Sequence, residues 1–319
     1  MALTPILNSS FSQRLGDVRK VEKSCLTAYP PTSWVGVGYR EVHAQTFPVE
    51  TSAVGWIEVH PENYMVAGGA RLARLDELRC HYPISAHGVG LSLGRSDDID
   101  RAHLSRLKQF IDRYEPALIS EHLSWSMFEG VYYNDLLPLP YDDEALAVVA
   151  RHIDVAQEYL GRTLLIENPS RYISFNRCDE REEPEFMNAL CAKTGCGVLL
   201  DINNVVVSGH NLGLNVEAYF EAIEDRYVGE IHVAGHRTQY HDGESYLLDD
   251  HGCAPCEEVV AYLQKRLAQF GPRPVLLEWD TNLPSVESLL ATAHQLTACF
   301  STPVKPLKGS NHAYSISTV

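Results

Sequence analysis

The amino-acid sequence predicts one parallel (β/α)8 barrel with a polar site at the C-terminal ends of its strands, and three observations carry that prediction. Seven apolar runs end in, or lead directly into, a His, Asp or Glu: Ile57-Glu58-Val59-His60, Ile84-Ser85-Ala86-His87, Leu118-Ile119-Ser120-Glu121, Leu164-Leu165-Ile166-Glu167, Val198-Leu199-Leu200-Asp201, Ile231-His232 and Val275-Leu276-Leu277-Glu278. Short apolar runs are what strands buried on both faces look like. Ligand-type residues at their C-terminal ends mark the functional face of a barrel. The runs alternate with segments of helical period, which favours a closed parallel barrel over an open sheet. The length, 319 residues, accommodates a barrel of about 250 residues with extensions.

Residues 1–33 read as an N-terminal extension closed by Pro30-Pro31. The barrel is expected over 34–300, and the polar stretch 301–319 is read as a tail. Strands are expected at 35–39 and 55–60, then a helix at 66–79 and a third strand at 83–87. That strand leads into the glycine-rich loop from Gly88 to Gly94. Residues 100–114 form an amphipathic helix with Leu104, Leu107 and Ile111 on one face. A strand at 117–121 precedes a long loop through Trp125 and Tyr132-Tyr133 to Pro140. Asp142 is the expected N-cap of a helix whose stripe is Leu146, Val149, Ile153, Ala156 and Leu160. A strand at 163–167 is stopped by Pro169, and a helix at 182–194 by Gly195. A strand at 197–201, a shorter helix at 216–223 and a strand at 228–234 follow. A helix at 256–270 is closed by Gly271-Pro272, and a strand at 274–278 and a helix at 285–299 complete eight units.

Composition narrows the function. Hydrophobic residues make up 45% of the chain, enough for a sizeable core. No apolar run approaches the roughly 20 residues a membrane span needs, and residues 1–29 lack a signal-peptide core, so a cytoplasmic location is the default. A net charge of -16 repels phosphate backbones and disfavours nucleic acid as a partner. Cys253-Ala-Pro-Cys256 has no second CxxC to complete a zinc ribbon, so the eight cysteines read as packing thiols. No glycine-rich phosphate loop or serine nucleophile elbow is present.

Convergence of the strand ends would bring Glu121, Glu167, Asp201 and Glu278 close together. Two carboxylates about 4 Å apart repel by roughly 4 kcal/mol at an effective dielectric near 20. Arg40 and Arg171, the nearest cations, fall in loops, so protons or metal ions must compensate. His60, His87 and His232, with the Asp249-x-His251 pair, favour metal. Imidazoles mixed with bridging carboxylates suit iron, manganese or zinc rather than magnesium or calcium. So many ligands exceed the needs of one ion and point to two or three. Taken singly, a strand-end acid can equally cap the next helix. His122 and His210 are read as structural or loop residues and Asn203-Asn204 as turn residues. His236 is read either as a ligand or as a group supporting one.

Eight stretches extend the reading: Glu58-Val-His-Pro-Glu-Asn-Tyr64, His87 to Gly94, Ser120-Glu-His-Leu-Ser-Trp125, Glu167-Asn-Pro-Ser170, Leu200-Asp-Ile-Asn-Asn204, Glu230-Ile-His-Val-Ala-Gly-His236, Asp249-Asp-His-Gly252 and Leu277-Glu-Trp-Asp280. In order and register from about residue 35 to 295, they resemble the multinuclear non-heme iron-dependent oxidative enzymes, whose barrel is like that of xylose isomerase. The resemblance implies two or three irons of mixed ferrous and ferric state, with dioxygen as co-substrate. By motif position it implies the ligands His60, His87, Glu121, Asp201, His232, Asp249, His251 and Glu278, with either Glu167 or Asn168 around strand five. Asn204 sits where some related barrels carry a His. His60, Glu121, Asp249 and His236 are the residues to which the chemistry is assigned. The substrate implied is a cysteine in a ribosomally made precursor peptide, presented with a leader-binding partner protein in a heterodimer. Hydrogen is removed from the Cys β-carbon, giving an oxazolone-thioamide, a thiooxazole or loss of that carbon. Two other readings fit the residues: a zinc or manganese hydrolase or isomerase of the same barrel type, and a non-catalytic metal-binding scaffold.

Overall fold

A computed structural model describes residues 33–175 and 180–301. The expected extension (1–33) and tail (301–319) lie outside the described residues but for Ser33 and Ser301.

Eight parallel strands close into a barrel in the order β1-β12-β9-β8-β7-β4-β3-β2. They are β1 (Val35–Gly38), β2 (Trp56–Val59), β3 (Ile84–Gly88), β4 (Leu118–His122), β7 (Leu165–Glu167), β8 (Gly197–Asp201), β9 (Val228–Val233) and β12 (Val275–Leu277). Two antiparallel hairpins stand apart from the barrel: β5 (Trp125–Phe128) with β6 (Val131–Leu137), and β10 (Arg237–His241) with β11 (Glu244–Leu248). The barrel of the sequence reading is therefore present, with every expected strand within two residues of its place.

Helices coat the outside: α1 (Ala70–Arg79), α2 (Arg101–Tyr114), α3 (Asp143–Leu160), α4 (Glu183–Thr194), α5 (Ile202–Leu212), α6 (Val216–Ala222), α7 (Glu257–Phe270) and α8 (Val286–Leu296). The expected caps hold. Asp142 accepts a hydrogen bond from the Ala145 amide at 2.8 Å, and Gly195 ends α4 in the left-handed conformation at φ 70°. Strict alternation fails at two places. Between β1 and β2 there is only a 3-10 turn (Glu41–His43). After β8 the chain enters α5 at once, because Asp201 caps it through the Asn204 amide at 2.6 Å. Asn203 and Asn204 thus start a helix rather than form a turn. The stretch after β4, read as a loop, is the β5–β6 hairpin. No helix among the described residues is long and apolar enough to cross a membrane.

Which side chains face the barrel axis follows from register, since partners across a parallel pair point to the same side. Glu58 pairs with Ser85, His87 with Ser120, His122 with Glu167, Asp201 with His232 and Leu199 with Glu230. At the floor the Trp56 ring fills the axis. A Cβ on Gly36 would stand 2.3 Å from that ring, so only glycine fits there. Above Trp56 lies a layer containing Glu58, Ser85 and Glu230, and above that the strand-end His, Asp and Glu side chains.

Candidate metal centre

Glu167 lies at the hub of the strand-end layer. Its Oε2 is 3.0 Å from His87 Nε2 and 3.1 Å from His122 Nε2, and those two nitrogens are 3.2 Å apart. Its Oε1 is 3.9 Å from His232 Nδ1, which stands 3.0 Å from Glu278 Oε2. Ligand atoms of Glu167, Asp201, His232 and Glu278 all lie within 4.8 Å of one another, as do those of His87, Glu167 and His232. A third group, His251, Glu278 and Asp280, meets the same limit, and His251 Nε2 is 2.7 Å from Asp249 Oδ1. These groups share carboxylates: Glu167 joins the first two, and Glu278 joins the first and third. Carboxylates placed in this way would serve two neighbouring cations at once.

The donor set fits metal by a further test. Asp201 uses Oδ1 to cap α5, while its Oδ2 is buried with no hydrogen-bond partner. Capping, an alternative to ligation on sequence grounds, thus uses only one of the two oxygens of the residue. Asn204 Oδ1 is likewise buried and unpartnered, and Asn204 lines the cavity above the centre. Buried polar atoms left without partners are costly in a protein, and a cation would satisfy them.

Electrostatics point the same way. Burial pushes the Glu167 carboxyl up, but His122, His87 and His232 outweigh it and hold it at about 2. Burial lowers His87, yet Glu167 and Glu58 overcome it and carry the imidazole to about 10. Burial also opposes His232 and His251, which their carboxylate neighbours nonetheless raise well above the ordinary value. Asp201 is pushed well up, by burial first. Protons on imidazoles here occupy the lone pairs a metal ion would take.

Several expected ligands fall outside these donor groups. Glu121 shares the outward face of β4 with Ile119. Its Oε2 accepts from the Leu91 amide at 3.1 Å and its Oε1 from the His122 amide at 3.1 Å, so it anchors the Gly88–Gly94 loop. Asn168 spends both ends of its amide on the Asp201 backbone, at 2.9 and 2.8 Å, which favours Glu167 of that pair as the metal-facing residue. His60 holds the His87 carbonyl at 3.1 Å through Nδ1 and lines the cavity wall, and it belongs neither to the groups above nor to a fourth, of Glu58, Glu230 and His232. Burial, then Arg40, lower its pKa. His236 is half-buried and hydrogen-bonded to Asn203 Oδ1 at 2.7 Å; Asn203 in turn donates to Asp249 Oδ1 at 2.9 Å. His236 therefore supports Asp249 through Asn203.

Other residues enter that the sequence reading left out. His122, taken as structural, belongs with His87 and Glu167 because it follows Ser120 by two on the inward face. Glu58 Oε2 lies 3.2 Å from His232 Nε2, and Glu230 lies beside it. Burial and Glu58 push Glu230 up to about 8. Arg40 reaches the rim: its Nε donates to Asp280 Oδ1 at 2.9 Å, and it stands 3.8 Å from Glu278. Arg171 instead stacks over Tyr141 at 4.7 Å, away from the centre.

A cavity of about 640 Å3 opens over the centre. Its floor includes His87, His122, Glu167, His251 and Glu278, and its walls include Leu136, Leu137, Tyr172 and Ile173.

Comparison with known proteins places this geometry. A UPF0276 protein of Paraburkholderia phytofirmans is 45% identical over 260 residues, covering 81% of this chain and 84% of its own. A UPF0276 protein of Bordetella pertussis is 46% identical over 266 residues, covering 83% and 91%. Among solved structures, a xylose isomerase-like TIM barrel protein from Mycobacterium smegmatis in complex with magnesium superposes with TM-score 0.53 at 11% identity, covering 85% of this chain and 97% of that one. A xylose isomerase domain protein from Alicyclobacillus acidocaldarius gives 0.51 at 15%, covering 83% and 97%. These structural likenesses establish the fold. The sequence model described as "RiPP precursor modification enzyme MbnB/TglH/ChrH" matches residues 34–301. The chain belongs to the MbnB/TglH/ChrH family of RiPP precursor modification enzymes.

Proposed function

We propose that this chain is a multinuclear iron, dioxygen-dependent oxidase that modifies a cysteine in a ribosomally made precursor peptide. The observation that carries the reading is the sharing of Glu167 and Glu278 between neighbouring donor groups. That sharing favours more than one ion, and the family match over residues 34–301 favours a precursor-peptide substrate over a zinc or manganese hydrolase or isomerase of the same barrel type. In this reading His87, His122, Glu167, Asp201, His232, Glu278, His251, Asp249 and Asp280 hold two or three irons. Iron in that setting supplies dioxygen activation and tolerates a thiolate ligand.

The chain's own groups supply the rest. Leu136, Leu137, Tyr172 and Ile173 wall the cavity and exclude water from the peptide cysteine. With Nδ1 committed to the His87 carbonyl, His60 turns Nε2 toward the cavity as a proton acceptor placed beside the substrate. Arg40 holds Asp280 in place. A leader-binding partner protein would present the peptide, forming a heterodimer with this chain. Residues 34–300 are the catalytic barrel in this account.

The test is reconstitution. Purified chain is stripped of metal, loaded anaerobically with ferrous iron, and mixed with partner, Cys-containing precursor peptide and oxygen. The expected result is oxygen uptake with a mass change confined to a cysteine-bearing fragment. Zinc alone in the purified protein, with no mass change after iron loading, contradicts the proposal.

A further inference from the structure

One interaction in the barrel lies below the centre and has no part in the function described above. His232 is fully buried, and both its ring nitrogens face carboxylates: Nδ1 stands 3.0 Å from Glu278 Oε2 above, and Nε2 stands 3.2 Å from Glu58 Oε2 below. Turning the ring over would set carbons against both oxygens, so this orientation is fixed by its two partners. A neutral imidazole carries one N–H, and whichever nitrogen bears it cannot bind metal. Glu167 and Glu278 lie on the Nδ1 side, at 3.9 and 3.0 Å, and Asp201 belongs to the same donor group. The N–H must then point down, into a layer of buried side chains. Glu58 Oε2 is the nearest acceptor there, with Glu230 Oε1 farther off at 4.0 Å. Glu58 is itself fully buried, its Oε1 has no hydrogen-bond partner, and Glu230 behind it is held by the Ser85 hydroxyl at 3.3 Å. A carboxylate behind a histidine ligand sets the tautomer and strengthens the ligand.

We infer that Glu58 is a positioning residue: it accepts the Nε2–H of His232 and thereby presents the Nδ1 lone pair to the space shared by Glu167, Asp201 and Glu278. The inference rests on reading that space as a metal centre. It explains why an acid lies one layer below the ligands, where a barrel axis ordinarily carries apolar side chains.

The test uses the full chain labelled with nitrogen-15 in its histidines and loaded with zinc, a diamagnetic probe. Long-range proton–nitrogen spectra should show a ring with Nδ1 on metal and a proton on Nε2, and that signal should vanish in His232→Gln. Glu58→Leu should lose the same signal and weaken zinc retention against a competing chelator by about 10- to 100-fold. Glu58→Gln, which keeps an acceptor oxygen, should restore most of it. A native spectrum with metal on His232 Nε2 overturns the inference, and so does zinc retention in Glu58→Leu within about twofold of native. Loss of one whole zinc equivalent bound between Glu58 and Glu230 also overturns it, by placing a cation in the lower layer. If the native chain retains no zinc or iron at all, the metal-centre reading fails first, which separates the two failures. Should Glu58→Leu not fold, the native spectrum decides.

Discussion

Glu121 and His122 are adjacent in sequence and face opposite sides of β4, and the difference decides which belongs to the site. Strand residues alternate sides, and His122 is in register with Glu167, so Glu121 must face outward. The signal was present in the sequence: Ile84-Ser-Ala-His87 and Ile119-Ser-Glu-His122 are the same pattern on neighbouring strands. Reading the end of each apolar run picked out His87, Glu167, Asp201, His232 and Glu278, which the barrel brings together; counting parity along each run would have set His122 beside them and turned Glu121 away. Glu58 and Glu230 were legible by the same rule, since each precedes a strand histidine by two. Arg40 was not, because its reach to Asp280 depends on how a loop folds across the rim. The expected outcome is that His122→Ala lowers bound iron by about one ion per chain and product formation by more than about 100-fold, whereas Glu121→Gln keeps the full iron content. Elemental analysis of the two variants checks this; equal iron loss in both would restore Glu121 to the ligand set.

At the scale of elements, the barrel strands were legible because apolar runs bounded by turns leave few alternatives. The hairpins were not. The β5–β6 strand Val131–Leu137 is exposed over six of its seven residues and carries no burial pattern to betray it. The β10–β11 hairpin did leave a sign, Asp242-Gly243, both at positive φ (51° and 87°), which is a strong short-range hairpin signal. The missing helix after β1 left the first connection open, and it is there that Arg40 crosses to the rim. The β5–β6 hairpin ends at Leu136 and Leu137 on the cavity wall. Leu136→Asp is therefore expected to raise KM for the precursor peptide by about tenfold, the loss of roughly 1.4 kcal/mol of apolar contact, with iron content unchanged. Peptide titration alongside metal analysis tests it, and parallel loss of iron would show that the hairpin supports the centre instead. Asp142→Ala removes the α3 cap and should cost about 1 kcal/mol of stability without altering metal content, as thermal unfolding of matched samples would show.

Across the whole molecule, the net charge of -16 overstates the acidity of the surface. Glu58, Glu167, Asp201, Glu230 and Glu278 lie inside the barrel. Their mutual repulsion is balanced by protons in the metal-free chain and by cations in the loaded one, so stability and metal content must respond to pH together. His87, carried from an ordinary 6.5 to about 10, stabilises the metal-free fold fully below pH 6.5 and progressively less as pH rises toward 10. Glu167, held from 4.5 to about 2, stabilises it above pH 4.5 and fails as pH falls toward 2. From this pair the metal-free chain is most stable between about pH 4.5 and 6.5. Bound metal displaces those imidazole protons, so loading should release protons at neutral pH and shift the stability maximum upward. Melting temperatures across pH, with and without metal, check this, and identical profiles would contradict it. Whether carboxylates shared between strands hold adjacent irons is decided by anomalous scattering from anaerobically grown crystals, collected at the iron edge. The account predicts two or three iron peaks, with Glu167 and Glu278 each touching two of them. A single peak, or none at Glu167, would contradict it.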